Sequence, residues 1–440
     1  IATFVSSSGE SVPLTDPRVV ILIPAMGDLA SKMVAAAFKS SGINSVALPT
    51  HSTESLQLGR KYASGKECLP ILLMAGNLLK YLENPQSESQ FIIYFQVQGA
   101  GNCRLGQYPV FLDQLISNRK LTDIVQMVLM NEDGFAGLGT DWSVRAIQAI
   151  IISDVLDDIR AGILTHAVDP KTGIEIFDRE VDLLLEKFAK APKDIYGQLE
   201  KFAKVIKNNV PSKTPIEDFK YVALIGEIFC RRDEFANKKL DEYFAKNGFV
   251  LKTAYISEWI TYIDYLISID LLESEKSLKK RFERMLRNFY MKDIEKKIKK
   301  ALEISGYYKF ERMNVEPILK HSKHIVPLEY KGEPGLTLGI ALNDILDKYC
   351  GVINFGPFGC MPTRFAEAVT VPEMTIGCKV DAKRLYNKTY KVGSNGKVFP
   401  DNFPLPFLTI ESDGAPYSQL IEARLDAFLL QCQYVAENFF

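Results

Sequence analysis

Seven cysteines carry most of the chemistry this 440-residue chain can offer: Cys68, Cys103, Cys230, Cys350, Cys360, Cys378 and Cys432. Three stand in sequences that would present a thiol. Cys68 lies in SGKECLPILLMAGNLLKYLE, after Gly65 and before an apolar helical pattern. Cys103 lies in FIIYFQVQGAGNCRLGQY, a few residues past a strand pattern, in a Gly-rich turn, with a helix starting near Gln107. Cys360 lies in GVINFGPFGCMPTRFAEA, with the same order of strand, Gly/Pro turn, cysteine and helix. Gly99, Gly101, Gly356 and Gly359 allow turns that a side chain would forbid. Helix starts favour thiolate and anionic groups. Three thiols so placed suit an iron–sulfur cluster between two lobes, with one iron open to substrate or solvent. There is no CxxC pair, however, and spacing alone leaves open the plainer alternative of small buried hydrophobes.

The residues beside these cysteines have candidate roles. Arg104, Gln107 and Arg364 would donate hydrogen bonds to cluster sulfurs or to an anionic substrate. Surface or helix-capping positions are the alternative. Glu67 is a candidate for proton transfer. Other motifs weigh less. GAGNCRLG approaches a dinucleotide fingerprint, but Arg104 stands where the third glycine belongs. No G-x-x-x-x-G-K-[ST] loop is present, so ATP hydrolysis by this chain is not expected. HSKH (His321–His324) reads as an exposed loop, and NEDGFAGLGTD as a turn without EF-hand spacing.

Elements must position these residues. RVVILIP, NSVALP, FIIYFQV and DIVQMVLMN read as strands alternating with helices, which predicts a parallel, doubly wound sheet. GDLASKMVAAAFKSSG reads as a helix, with Asp28 as cap and Gly42 as stop. From about Gly134 to Pro215 only helical spacing remains. Alternation restarts with FKYVALIGEIF and FVLKT, passes through helical residues 256–304, and ends with GVINFG, PFLTIES and a closing helix. The expectation is an α/β chain of two flavodoxin-like, doubly wound parallel-sheet lobes with helical insertions. The first lobe takes residues 1–133 with Cys68 and Cys103. A helical connection takes 134–215. The second lobe, with a helical insertion and Cys360, takes 216–440.

Bulk properties exclude some classes. The chain is 47% hydrophobic and 24% charged, ordinary for a globular protein, and its formal net charge is −1. No global field favours nucleic acid or an anionic membrane. No apolar run reaches the ~18 residues of a membrane helix, and the stretch around Ala146–Val155 is broken by Gln148, Ser153 and Asp154. IATFVSSSGES has no basic start and does not read as a signal peptide. The missing initiator Met fits processing or a longer polypeptide. An odd cysteine count argues against a disulfide framework and for a cytoplasmic, reducing setting. Four histidines (His51, His166, His321 and His324) are few for a His-based metal site. The segment Glu273–Glu303, with 11 Lys/Arg against 6 Asp/Glu, reads as a solvated helix face or a docking surface for an acidic partner or a nucleotide-bearing cofactor.

SGKECLP, GAGNCRLGQY and FGPFGCMPTRFAEA together resemble the three cysteine motifs of the 2-hydroxyacyl-CoA dehydratase family. More narrowly, they resemble the dehydratase-like region of the long dehydratase-activase-related proteins. VALIGEIFCRRDEFANKKLDEYFAKNG is similar to that family's second-lobe opening, and PFLTIESDGAPYSQLIEARLDAFL to its closing strand and helix. The resemblance runs from about Val19 to Phe428. It implies flavodoxin-like lobes, a [4Fe-4S] cluster on Cys68, Cys103 and Cys360, and an ATP-hydrolysing activase, separate or fused, that supplies low-potential electrons. It implies an iron–sulfur reductase or dehydratase (lyase) component acting on an acyl-CoA or another small molecule, and relatives pair two such subunits. A related branch holds an [8Fe-9S] double cubane and needs more cysteines. Cys230, Cys350, Cys378 and Cys432 would have to serve, but they do not sit in comparable Gly-rich loops. A non-catalytic electron-transfer or docking module is the remaining alternative.

Overall fold

The computed structural model describes residues 2–83, 90–96, 103–128, 138–272, 278–393 and 397–440. Gly99, Gly101 and most of NEDGFAGLGTD lie outside the described residues. A small antiparallel hairpin, β1 (Thr3–Val5) and β2 (Ser11–Pro13), precedes the first sheet. That sheet holds β3 (Val19–Ile23), β4 (Ser45–Ala47), β5 (Phe91–Gln96) and β6 (Ile124–Val128) in the order β4-β3-β5-β6, all parallel. The second sheet holds β7 (Lys220–Gly226), β8 (Phe249–Thr253), β9 (Gly351–Pro357) and β10 (Phe407–Ser412) in the order β10-β9-β7-β8, again parallel. Counted within its own lobe, each sheet runs 2-1-3-4. The chain is therefore α/β with two flavodoxin-like lobes.

Helices cover both sheets, so the central strands are buried on both faces. VVILI in β3 and GVINFGP in β9 are buried at every residue, as continuous apolar runs in parallel sheets require. In the first lobe the layers are α1 (Asp28–Lys39), α2 (Thr53–Lys61), α3 (Leu69–Leu82) and α4 (Tyr108–Asn118). Asp28 is the first residue of α1 and not its cap. Gly27 takes the cap position at φ 82°, and no side chain caps the helix.

Three helices then carry the chain across: α5 (Gly139–His166), α6 (Pro170–Ala189) and α7 (Ile195–Asn209). Asp169 and Asp194 cap α6 and α7 by accepting from Thr172 and Gly197 N–H groups, and Pro170 opens α6. Their apolar faces meet Leu29 and Met33 of α1 and Val250 of β8 in one core. In the second lobe, α8 (Glu234–Asn237) and α9 (Leu240–Lys246) follow β7. The helical stretch 256–304 divides into α10 (Ile256–Ser268) and α11 (Leu278–Glu303), with Asp270 at φ 58° in the turn that ends the first. Ile294, Ile298 and Leu302 of α11 pack into the core of α5 to α7, so the second lobe's insertion thickens the connecting helical layer. α12 (Val315–Ser322), α13 (Glu333–Asp344), α14 (Met361–Thr370), α15 (Ile376–Arg384) and α16 (Gln419–Phe439) complete the lobe.

A second core joins the lobes directly. It runs from Leu22, Leu69 and Tyr108 to Ile225, Cys230 and Phe355. The carboxyl-end loops of both sheets border this junction. A buried pair crosses it, His51 Nδ1 to Asp233 Oδ2 at 2.6 Å. Among the described residues no helix is long and apolar enough to cross a membrane.

Candidate functional site

Each of the three singled-out cysteines occupies the residue that caps a helix. Cys68 caps α3, Cys103 caps a 3-10 turn (Arg104–Gln107) leading into α4, and Cys360 caps α14. All three have extended backbone there, so each side chain stands at the positive end of its helix.

The loop of Cys68 is set by two helices in backbone contact. A Cβ on Gly59 of α2 would lie 1.9 Å from the Leu72 carbonyl oxygen, and one on Gly76 of α3 would lie 1.7 Å from that of Ser55. Only glycine permits this approach. Between these helices Gly65 turns at φ 83°, and the Glu67 carboxylate accepts from the N–H groups of Ser64 and Lys66. Partial burial pulls Glu67 upward, but these bonds outweigh it and hold it below the usual carboxylate range. Glu67 thus folds back on its own loop as an anion. Cys68 Sγ lies 2.7 Å from the Tyr108 hydroxyl, which ties α3 to the first residue of α4.

Cys360 follows β9 through Gly359 at φ 68°. Behind it, a Cβ on Gly356 would meet Thr363 Oγ1 at 2.3 Å, so β9 and α14 pack against each other at that glycine. Glu411 of β10 accepts from Gly359 N–H at 3.2 Å and receives a forked pair from Arg364, Nε at 2.8 Å and Nη2 at 2.9 Å. Arg364 is therefore engaged in bracing the loop. Gln107 is exposed at the end of its 3-10 turn.

One side chain fastens all three loops. Arg104, next to Cys103, donates from Nη1 to the Lys66 carbonyl at 2.9 Å, two residues before Cys68. Its Nη2 donates to the Gly359 carbonyl at 3.1 Å and the Phe358 carbonyl at 3.3 Å, just before Cys360. A planar guanidinium reaches these acceptors from two separate nitrogens in a fixed fork, where an ammonium offers a single donor nitrogen. In the structure Arg104 serves as a clasp between the cysteine loops.

Burial pushes the Cys68 thiol up to about 11 and the Cys360 thiol up to about 12. Both are protonated at neutral pH, so a metal would have to displace their protons. Cys103 is exposed and gives the group its opening to solvent. Two acidic residues lie within electrostatic reach of these thiols. Glu227 bears on Cys68 and Cys103, and Glu333 bears on Cys103 and Cys360. Glu333 is pushed up to about 8, by burial first and then by Glu227, so it carries a proton at neutral pH.

Sequence reasoning missed this acidic pair and the tight turn before Cys230. The turn after β7 is tight. Gly226 sits at φ 98°, and Glu227 accepts from the N–H groups of Phe229 and Cys230. Cys230 is fully buried within electrostatic reach of Cys68. The tight turn there rests on a carboxylate rather than a run of glycines, which is why the cue was absent. Gly226 was the one signal available. The remaining cysteines are elsewhere. Cys350 immediately precedes β9 at the strand end opposite Cys360, and a Cβ on the adjacent Gly351 would touch Cys432 Sγ. Cys378 lies in α15. His321 is no exposed loop residue: it is buried in α12 and donates from Nδ1 to the Pro317 carbonyl.

Among the described residues no three His, Cys, Asp or Glu side chains are grouped as for a single metal ion. A multi-iron cluster is larger and takes its thiols from separate loops. No protein-family model matches the chain, and no curated protein matches it.

Proposed function

We propose that Cys68, Cys103 and Cys360 hold a [4Fe-4S] cluster and that the chain works as an iron–sulfur reductase or dehydratase component of the 2-hydroxyacyl-CoA dehydratase kind. The observation that carries this reading is the Arg104 clasp, which fastens three cysteine-capped helix starts from two lobes. The donor set fits the group: three thiols, three helix N-termini and one guanidinium for an anionic cluster. When bound, the cluster would supply one-electron chemistry at an iron that no protein residue ligates. The protein's part is to bind and orient. Helix starts and Arg104 offset negative charge, Tyr108 positions Cys68, and Glu411 braces the Cys360 loop. Small substrates, acyl-CoA thioesters among them, would approach beside exposed Cys103. An ATP-hydrolysing activase would deliver the electrons. Seven unbridged cysteines suit a reducing, cytoplasmic setting. A larger double cubane would find Cys230 near at hand, whereas Cys350 and Cys432 lie at the other end of β9.

Anaerobic reconstitution with iron and sulfide tests the reading. The wild-type chain should retain about four irons, and Cys103→Ser and Cys360→Ser should each lose most of them. A colourless, iron-free wild-type protein overturns it. Small ligands that perturb the cluster's spectrum would support catalysis, and insensitivity would point to an electron carrier.

A further inference from the structure

Behind the cysteine loops lies a narrow cavity between the end of β7, α10 and α13. It is lined by Gly226, Arg231, Glu258, Trp259, Glu333 and Thr337, among others. About 10 Å3 is open to the centre of a water molecule, room for one water. Three buried polar atoms on its wall have no hydrogen-bond partner: Arg231 Nε, Glu258 Oε1 and Glu333 Oε2. Arg231 and Glu258 are only 4% and 6% exposed. The rest of Arg231 is committed, with Nη1 on the Gly226 carbonyl and Nη2 on that of Tyr255. Buried polar atoms are costly when unmet, and a buried water typically meets about three of them.

We propose that one water binds Arg231 Nε, Glu258 Oε1 and Glu333 Oε2, and that it relays protons from Glu258 to Glu333 for use at the cysteine centre. This role rests on the redox reading above. Glu333 gives its carboxyl proton to the small substrate at the centre as that substrate takes up an electron from the external reductant. The water gives one proton to Glu333 and takes one from Glu258. The water is unchanged, and Glu258 remains an anion beside Arg231 until solvent reprotonates it.

The charge environment supports a store that is filled near neutral pH. Glu258 is raised to about 7, by burial first. Arg231 and Arg232 oppose that rise, and Asp344 and Asp154 add to it. Glu333 is raised to about 8, with Glu227 adding to burial and Arg231 and an Ile228 N–H opposing it. Glu333 lies within electrostatic reach of Cys103 and Cys360, and no hydrogen bond joins it to either among the described residues.

Infrared titration of the metal-free protein tests the store. Protonated-carboxyl bands should disappear as pH rises through neutrality, and Glu333→Gln and Glu258→Gln should each remove one. Wild-type protein with no such band overturns the proposal, as does a Glu333→Gln protein that keeps every band. In cluster-loaded protein the midpoint potential should fall with rising pH, and Glu333→Gln should abolish that dependence. An unchanged pH dependence in Glu333→Gln overturns the relay. A wild-type chain that takes up no iron overturns the redox reading instead, and the infrared bands then still decide whether the carboxyl store exists.

Discussion

The two lobes repeat one plan and differ at one turn. Both run their strands in the order 2-1-3-4, and both place a cysteine between the third strand and the next helix, Cys103 in one and Cys360 in the other. The turns after the first strands are unlike. In the first lobe Pro24-Ala25-Met26-Gly27 carries no charge and leads straight into α1. In the second, Glu227, Cys230, Arg231, Arg232 and Asp233 crowd a turn that is buried for most of its length. The two turns touch, because a Cβ on Gly27 would meet Arg232 Cβ at 3.4 Å. Arg232 pairs through its two Nη atoms with Asp154 and Asp157 of α5. The plain turn is thus a surface for the charged one to rest on. Duplicated geometry sets where a site can form, and divergence at one turn decides which lobe supplies its polar groups.

Substitution of the two turn glycines probes this difference most strongly. Gly226→Ala puts a Cβ 2.3 Å from the Phe355 carbonyl oxygen at φ 98°, and should cost roughly 3–5 kcal/mol. Gly27→Ala meets only ordinary contacts at φ 82° and should cost roughly 1–3 kcal/mol. Urea unfolding measures both, and a larger loss in Gly27→Ala would break the asymmetry. The pH dependence of stability should carry opposite signs in the two lobes. Glu258 is raised in the folded state, so its contribution is complete below the ordinary carboxyl value of 4.5 and is lost as pH rises through about 7. That loss is on the order of 3 kcal/mol and should vanish in Glu258→Gln. Glu67 is lowered, so its contribution is present above 4.5 and is lost as pH falls through its depressed value. Unfolding midpoints across a pH series, with Glu67→Gln beside Glu258→Gln, separate the two.

Smaller effects sharpen the picture at the junction. Arg104→Lys keeps the charge but cannot span both lobes' carbonyls, and should cost about 1 kcal/mol. Hydrogen exchange should then quicken together at 64–67 and 358–360, and quickening in one loop alone would argue against a shared clasp. In metal-free protein, Cys360→Ser buries a hydroxyl and should cost about 1 kcal/mol, whereas exposed Cys103→Ser should stay within about 0.5 kcal/mol. Thermal unfolding of the pair reads that order directly.

Much of the fold was legible because parallel strands buried on both faces leave continuous apolar runs. FVLKT coincides with β8, and RVVILIP and PFLTIES overshoot β3 and β10 only at their ends. The β1–β2 hairpin was not, since three-residue strands hold too little periodicity to detect. Cys103 and Cys360 could be singled out because a strand, a turn and a helix frame each one. Cys68 had its helix but no strand, and the structure places it between two helices. Three features left no local trace. Arg104 acts on carbonyls far along the chain, Glu227 builds a turn with its side chain, and Glu333 arrives on a helix remote in sequence. Each depends on partners that only the folded lobes bring near.

The reach of Arg104 also bears on how the chain comes into being at the ribosome. Its partner at Phe358 lies 254 residues downstream. The first lobe can leave the exit tunnel and fold its sheet long before that acceptor has been synthesised. Until then its arginine is fastened only at Lys66, and two of the three loop thiols wait without the third. The three cysteine loops can therefore be fastened together only after the second lobe has been synthesised and has docked.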